Sequence, residues 1–400
     1  MALRGKRRYA RPMTRHAQLR LALGGLIALA SGMGLGRFLY TPVLPMMVEG
    51  AGLSPSRAGL IASANFAGYL AGALAASLPG MSPRAWTWLV AGLATSAATT
   101  AAMAVSDGFW PWVLLRFAGG WASAFILIFT AALVVSRLRA AGSVLSTLHF
   151  AGVGTGIAIS ALISAPLIAA SDAWRQVWLT GGGLSALALV AVLALVPRRA
   201  PDAAGPAQEM RARSGGLWRL VLAYGCFGFG YVITATFIVA MLREGPGGRE
   251  AETAVWLIVG LTAAPSVVVW TRVGARIGAI RAYQAAMLIE AAGVGLSALS
   301  TGTIALALAA AALGGTFVGL TAVGLQEAAR RAGGDGRAMM ALMTASFGLG
   351  QMIGPAMAGW MRDLTGSFAA PSLIAALVLV AGGLLVWPMR EQGERRSAQG

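Results

Sequence analysis

Long apolar runs follow one another along almost the whole chain, and they limit the folds that it can adopt. A helix needs about 20 predominantly apolar residues to cross the hydrocarbon core of a bilayer. The chain is 57% hydrophobic and 11% charged, whereas about 25% of a soluble domain is charged. Its 400 residues therefore predict an all-α membrane protein with twelve transmembrane helices. The predicted spans are 20–47, 57–79, 85–106, 109–136, 142–170, 174–196, 217–242, 253–271, 282–300, 303–326, 338–361 and 369–388.

Basic residues are concentrated in every second interval between these spans. The formal net charge is +17, and placing the N-terminus inside assigns 24 of the 31 basic residues to inner segments and five to outer segments. Because positively charged loops stay on the cytoplasmic side, this asymmetry predicts a multi-pass protein of the bacterial inner (plasma) membrane with both termini in the cytoplasm. It favours membrane lipids, and not nucleic acid, as the partner of the positive charge.

The scarcity of lysine, cysteine and histidine excludes several classes of protein and several types of site. Lys6 is the only lysine, so a phosphate-binding loop of the Walker type has no lysine to use. Cys226, His16 and His149 are too few for a disulfide framework or a metal cluster. No group of acids and histidines is expected at one depth, so the sequence predicts neither an enzyme nor a cofactor.

The polar segment 197–216 divides the spans into two sets of six, and its composition is typical of a flexible linker. The prediction is a basic cytoplasmic tail, an N-terminal six-helix bundle, a cytoplasmic linker, a C-terminal six-helix bundle and a second cytoplasmic tail. Their bounds are 1–19, 20–196, 197–216, 217–388 and 389–400.

Pairs of glycines recur in the two halves at offsets of 194 to 196 residues. They occupy predicted helix pairs 1 and 7, 4 and 10, and 5 and 11. The matched segments are 34–36 with 228–230, 119–120 with 314–315, and 152–154 with 348–350. Such weak internal symmetry is typical of transporters built from two parallel repeats, although small residues four apart also serve simply to pack transmembrane helices closely.

Several motifs sharpen this interpretation. The segments 37–46, 62–70 and 152–157 resemble the YbfB/YjiJ-like branch of the major facilitator superfamily. Arg116-x3-Gly120-x3-Ala124 resembles the superfamily's helix-4 motif, and 348–355 with Gly359 resembles its helix-11 pattern. The resemblance implies two pseudo-symmetric six-helix bundles, with helices 1, 2, 4, 5, 7, 8, 10 and 11 around a central cavity. Helix 5 lacks the Gly-Pro pair typical of many drug/proton antiporters.

Arg37 is a charged residue inside the first predicted span, where a charge costs about 2.5–3.5 kcal/mol on insertion scales. At 1.5 Å per residue, Arg37, Asn65 and Arg116 lie about 6, 4–5 and 9 Å outward of their span centres. No acid is expected at that level, and a guanidinium binds carboxylate or phosphate with a planar fork. Arg37 is predicted either to contact an anionic substrate or to hydrogen-bond backbone carbonyls. The candidate substrate-binding residues are Arg37, Tyr40, Asn65, Tyr69, Tyr231, Thr234 and Gln351.

Three further polar residues are assigned coupling or structural roles: Arg116, Glu290 and His149. The Arg116 motif is shared by transporters of dissimilar substrates, which favours a structural or coupling role. Glu290 is an acid near the middle of a span and a candidate proton carrier. Because the resemblance makes helix 9 a supporting helix, pairing with a neighbouring helix is favoured. A side chain such as His149 titrates near neutral pH, but a lone histidine is more often a hydrogen-bonded packing residue.

Together these features predict a monomeric secondary active transporter that works by alternating access. The expected substrate is a small organic anion or amphipathic metabolite, and the resemblance implies protons as the coupling ion. One alternative is a proton-driven multidrug efflux pump, which would need an acid facing its ligand, and only Glu290 is available. Another alternative is a membrane sensor or scaffold that keeps the fold without transporting.

Overall fold

The computed structural model of the chain describes residues 13–78, 80–141, 144–168, 173–198, 216–245, 248–332, 336–387 and 389. Most of the predicted linker and of the two predicted tails lies outside these residues. The described residues form twelve long helices, in agreement with the twelve predicted spans. They are α1 Arg15–Gly50, α2 Pro55–Ala76, α3 Ala85–Val105, α4 Phe109–Arg139, α5 Leu145–Leu167, α6 Trp174–Leu195, α7 Leu217–Glu244, α8 Arg249–Ile277, α9 Ala279–Leu299, α10 Thr303–Ala332, α11 Gly336–Thr365 and α12 Ala369–Val386.

By length and composition, eleven of these helices can cross a membrane. The remaining helix, α11, has 30 residues. It carries Gln351, Pro355 and several glycines. Aromatic and aliphatic side chains fill the interior of the molecule, whereas leucines on the outer faces of the helices remain exposed, as at Leu187 and Leu377. Such an outward-facing apolar surface suits contact with lipid.

Helix α1 contains a π-helical segment, Ala30–Phe38, that the sequence pattern did not predict. Its glycines face different neighbours. A Cβ atom on Gly34 would meet the backbone of Gly156 on α5, and one on Gly36 would meet the hydroxyl of Ser96 on α3. π-helical turns are rare and are frequent at functional sites. Here the wider turn lets one helix approach several others closely just before Arg37.

Two glycines 194 residues apart make equivalent contacts in the two halves. Gly120 of α4 lies against the carbonyl oxygen of Asn65 on α2, and Gly314 of α10 lies against the carbonyl oxygen of Val259 on α8. A side chain at either glycine would collide with that backbone. Gly120 and Gly314 therefore allow the same helix pair to pack closely in each half, as expected for small residues between transmembrane helices. Gly315, which the sequence pattern pairs with Gly120, has no atom within 4 Å of a Cβ built on it.

The two halves meet closely from the middle of the helices to the face at which α1 ends. A Cβ atom on Gly59 of α2 would meet the carbonyl oxygen of Pro355 on α11, and one on Gly359 would meet that of Pro55. Helices α5 and α8 are equally close where Gly154 lies against Ala264. At this face no side chain separates these backbones.

Side-chain hydrogen bonds cross the same boundary. Thr41 Oγ1 donates to the Ala235 carbonyl oxygen at 2.7 Å, and Ser63 Oγ donates to that of Met352 at 2.6 Å. Trp256 Nε1 of α8 donates to Ser160 Oγ of α5 at 2.8 Å. These bonds join α1 to α7, α2 to α11 and α5 to α8.

An ion network closes the boundary where α1 ends. Arg243 of α7 binds Glu252 of α8 through Nε and Nη2, at 2.5 and 2.6 Å. Its Nη1 lies 3.3 Å from Glu49 Oε2 of α1. Glu49 Oε2 is also 2.7 Å from Arg249 Nη2. One carboxylate of the first half is therefore held by two arginines of the second half.

Candidate functional site

Arg37 lies near the middle of α1 in a cage of aromatic rings. Its side chain is only 3% exposed. The guanidinium carbon is 4.5 Å from the ring centres of both Phe66 and Tyr69 on α2, and 5.7 Å from that of Phe38. Aromatic faces attract a cation, so the rings offset part of the cost of burying this charge.

The guanidinium edge of Arg37 is unsatisfied. Nε and Nη2 are both enclosed and have no hydrogen-bond partner among the described residues. No carboxylate pairs with Arg37 in the described part of the chain either. Buried donors without acceptors are costly, each by about 1–3 kcal/mol. A bound anion with two oxygens would supply the missing acceptors.

Tyr231 and Gln351 belong to the second half and hydrogen-bond to each other, with Gln351 Nε2 donating to the Tyr231 hydroxyl. Arg37 lies close enough to Tyr231 to act on it electrostatically. Gln351 Oε1 has no partner among the described residues. The predicted residues Arg37, Tyr69, Tyr231 and Gln351 are therefore brought together near the middle of the molecule.

A stack of aromatic rings surrounds Tyr231. Its ring is nearly parallel to those of Phe317 and Phe347, with interplanar angles of 7° and 6° and centroid distances of 5.7 and 5.8 Å. Phe38 of α1 contacts Phe317 edge-on at 5.8 Å. The sequence analysis did not single out these phenylalanines. Helical spacing alone does not separate a ring beside a site from an ordinary core ring.

Arg116 has a different environment, although it is also buried. Its Nη1 donates to the Gly36 carbonyl oxygen and its Nη2 to that of Arg37, both at 2.8 Å. Its guanidinium carbon is 5.2 Å from the centre of the Tyr40 ring. Arg116 thus ties α4 to the end of the π-helical segment, directly beneath the backbone that carries Arg37.

Tyr40 and Asn65 lie around Arg116 and make backbone hydrogen bonds. The Tyr40 hydroxyl donates to the Ala58 carbonyl oxygen at 3.0 Å, and Asn65 Nδ2 donates to that of Arg116 at 2.9 Å. Both side chains are buried, and Asn65 Oδ1 has no partner among the described residues. The Tyr40 hydroxyl joins α1 to α2, and Asn65 Nδ2 joins α2 to α4.

Thr234 and His149 are buried at other places. Thr234 is fully buried on α7, and its hydroxyl has no hydrogen-bond partner among the described residues. His149 is fully buried on α5, where Nδ1 lies near Gly25 of α1 and its ring contacts Phe150 edge-on at 4.7 Å. The predicted hydrogen-bonded packing role of His149 stays a prediction. A backbone group of Gly25 lies beside the ring, although neither ring nitrogen makes a hydrogen bond of ordinary geometry in the described part of the chain.

Glu290 has no ionic partner on a neighbouring helix among the described residues, and its predicted pairing stays a prediction. The side chain is fully buried near the middle of α9, and neither carboxyl oxygen has a hydrogen-bond partner. Thr316 of α10 lies beside the carboxyl group, but its hydroxyl donates to the Ala312 carbonyl oxygen at 2.7 Å. Helix α9 therefore carries an isolated acid in its apolar interior.

Searches of known proteins gave a family and a fold. The family described as "Uncharacterised MFS-type transporter YbfB" matches residues 29–387. No curated protein matches the chain in sequence.

Among solved structures, a mutant of the nucleoside transporter NupG superposes with a TM-score of 0.74 at 15% sequence identity, covering 93% of this chain and 100% of that chain. Unmutated NupG superposes with a TM-score of 0.70 at 15% identity, covering 93% of this chain and 98% of that chain. A bacterial homologue of the human lysosomal transporter Spinster, in an inward-facing and unoccupied conformation, gives 0.64 at 14% identity, covering 94% and 95%. At this level of identity the similarity establishes the major facilitator fold, which confirms the predicted fold class.

Proposed function

This chain belongs to the YbfB family of major facilitator transporters, and from that premise we propose that it moves a small organic anion or amphipathic metabolite across the bacterial inner membrane by alternating access. The family and the fold make it a multi-pass membrane protein and a secondary transporter, not an enzyme. The substrate class, the cytoplasmic location of both termini and the coupling ion are part of the proposal.

The observation that carries the proposal is the guanidinium of Arg37. It is enclosed by Phe66 and Tyr69, and two of its nitrogens lack acceptors among the described residues. An intramembrane charge is expensive and usually marks a substrate or ion pathway. A carboxylate or phosphate would satisfy the guanidinium fork and neutralise the charge at the same time.

The surroundings of Arg37 favour an anion that also has an apolar part. Phe38, Phe66 and Tyr69 come from the first half, and Phe317 and Phe347 stand beside Tyr231 in the second half. Tyr231 and Gln351 supply polar atoms from the second half. Contacts with both halves let a bound solute affect how the halves move against each other.

Closure of one face supports alternating access. The halves are joined by close backbone contacts, by hydrogen bonds and by the Glu49 ion network from the middle of the helices to the face where α1 ends. For a solute to reach Arg37 from that face, these contacts must separate. We propose that a proton gradient drives the cycle, in keeping with the absence of a phosphate-binding lysine in the sequence.

A thermal-shift screen of the purified protein tests the substrate class. Benzoate, inorganic phosphate, uridine and tetraphenylphosphonium represent an aromatic carboxylate, a phosphate, a neutral nucleoside and a lipophilic cation. A ligand at 100 times its dissociation constant adds about 2.7 kcal/mol to the folded state. We expect anions to stabilise the wild-type protein and the Arg57→Gln control, whose arginine is exposed, but not Arg37→Gln. Stabilisation by tetraphenylphosphonium alone, or equal stabilisation of Arg37→Gln, would contradict the proposal.

A further inference from the structure

The acid on α9 is a buried carboxyl group that the substrate site does not use and that has no ionic partner among the described residues. Glu290 has no exposed surface, and both of its oxygens lack hydrogen-bond partners among the described residues. An ionised carboxylate in such a place is costly unless a cation or several donors accompany it. The chain keeps glutamate there, although a leucine or methionine of similar size would pack at no such cost.

The groups around Glu290 are polar but not basic. From α7 the hydroxyl of Tyr231 lies within electrostatic range of Glu290, and from α9 itself so does the hydroxyl of Tyr283. Thr316 of α10 lies beside the carboxyl group. Tyr283 in turn lies near Tyr224 and Cys226 of α7.

Among the described residues, the charged side chains of the helices around Glu290 lie near the helix ends. Arg219 is in the first turn of α7, Arg243 and Glu244 are in its last turn, and Arg281 is in the first turn of α9 itself. Helix α12 carries no ionisable residue between Ala369 and Val386. The acids and arginines of α8 lie in its first turn and its last two turns, and those of α10 lie in its last two turns. Without a cation to hold the ionised form, the chemistry that fits this carboxyl group is reversible binding of a proton.

Two tyrosines connect Glu290 to its surroundings on different sides. Tyr231 is also within electrostatic range of Arg37 and accepts the hydrogen bond of Gln351, so it stands between the acid and the substrate site. Tyr283 lies seven residues before Glu290, on the same face of α9 and toward the face at which α1 begins. Its hydroxyl is buried and has no hydrogen-bond partner among the described residues.

We propose that Glu290 is the site at which the coupled proton binds and leaves, that Tyr283 lies on the route of exchange, and that Tyr231 links the state of Glu290 to Arg37. The proposal rests on the proposed function, since coupling has meaning only in a transporter. The step is balanced: the carboxylate takes a proton from water at one face and releases it to water at the other. Glu290 is sealed in this structure, so exchange requires the bundles to rearrange.

Infrared difference spectroscopy of the full-length protein in lipid, titrated with acid and base alone, tests this assignment. We expect a protonated-carboxyl stretching band that appears on acidification and shifts in heavy water. The band should be absent in Glu290→Gln. It should persist in the matched control Glu327→Gln, because Glu327 is also buried but is held by Arg330 and Arg331, at 2.6 and 2.5 Å.

Two variants keep the test decisive if Glu290→Gln folds poorly. Glu290→Asp should retain the band with a changed midpoint. Tyr231→Phe should move the midpoint by about one pH unit, a tenfold change in proton affinity. A band that survives in Glu290→Gln, or that does not respond to pH in the wild type, would overturn the proposal. An unmoved midpoint in Tyr231→Phe would overturn the link to Arg37.

The result is independent of the substrate screen, because the titration uses no transported solute. Failure of every anion to stabilise the protein would leave the infrared assignment of Glu290 standing. Loss of the infrared assignment would leave the binding of an anion by Arg37 standing. The two proposals can therefore fail separately.

Discussion

Arg37 and Arg116 are two buried arginines that differ in the hydrogen bonds of their terminal nitrogens. Their exposures are 3% and 4%. Arg116 gives two nitrogens to the carbonyl oxygens of Gly36 and Arg37, whereas two nitrogens of Arg37 have no acceptor among the described residues. Burial alone does not distinguish a structural charge from a functional one. Nε of Arg116 also lacks a partner among the described residues, so the difference lies in the two terminal nitrogens, both of which the protein itself satisfies in Arg116.

The largest expected effect follows from removing the unsatisfied arginine. Arg37→Gln should abolish uptake into proteoliposomes of whichever anion gives the largest thermal shift. The affinity of the variant for that anion should fall by one to two orders of magnitude, since a hydrogen bond to a charged group contributes about 1.5–3 kcal/mol. The melting temperature without ligand should stay the same or rise, because a costly buried charge is removed. Normal uptake by a well-folded Arg37→Gln protein would contradict the assignment of Arg37 to the substrate site.

Removing the satisfied arginine should have the reverse outcome. Arg116→Gln leaves at least one of the two backbone carbonyls without its donor, at about 1–3 kcal/mol for each carbonyl. We expect a lower melting temperature and a lower yield of monodisperse protein in size-exclusion chromatography. A variant that is as stable as the wild type but fails to transport would make Arg116 a functional residue instead.

Asn65→Ala is a smaller test of the same distinction between structural and substrate-binding residues. The variant loses the hydrogen bond to the Arg116 carbonyl oxygen, which is worth about 1 kcal/mol. We expect a modest fall in melting temperature, with stabilisation by anions retained. Loss of that stabilisation without a fall in melting temperature would return Asn65 to the substrate site, where the sequence analysis put it.

Tyr40→Phe should have the smallest effect. It removes only the hydroxyl that donates to the Ala58 carbonyl oxygen and keeps the ring beneath Arg116. We expect a loss of less than about 1 kcal/mol in thermal stability and unchanged anion binding. Tyr69→Phe, which keeps the ring over Arg37, is the matched control from the other arginine. A larger change in anion binding for Tyr40→Phe than for Tyr69→Phe would reverse their assignment.

The spans were predictable because lipid demands long apolar helices, and Arg37 because a charge among them is conspicuous. The partners of each polar residue were not predictable. Tyr40, Asn65 and Tyr69 fall in one slab of depth by sequence, but two of them turn toward Arg116 and one toward Arg37. That difference depends on the direction in which each side chain points from its helix axis. Counting residues along a helix gives depth in the membrane, but it does not give the rotation of one helix relative to the others.

The surroundings of Glu290 were not predictable for a related reason. An acid within a span is usually paired, and that rule pointed to a neighbouring helix. Helices α8 and α10 do carry charged residues, but only near their ends, whereas Glu290 lies near the middle of α9. The rule gives the cost of the charge, and binding a proton, as we propose for Glu290, is another way of avoiding that cost.

The π-helical segment Ala30–Phe38 also constrains the length of the chain. An α-helix turns by about 100° for each residue, and a π-helical turn, closed by i→i+5 bonds, turns by less. Losing one residue from this segment while its winding is kept would therefore swing everything after it around the axis of α1. Arg37 would point away from the rings of α2, and its backbone would leave the fork of Arg116. Substitutions at many nearby positions change one contact each, but a single deletion here would misalign two sites at once. Insertions and deletions in this stretch should therefore be tolerated far less well than in any loop.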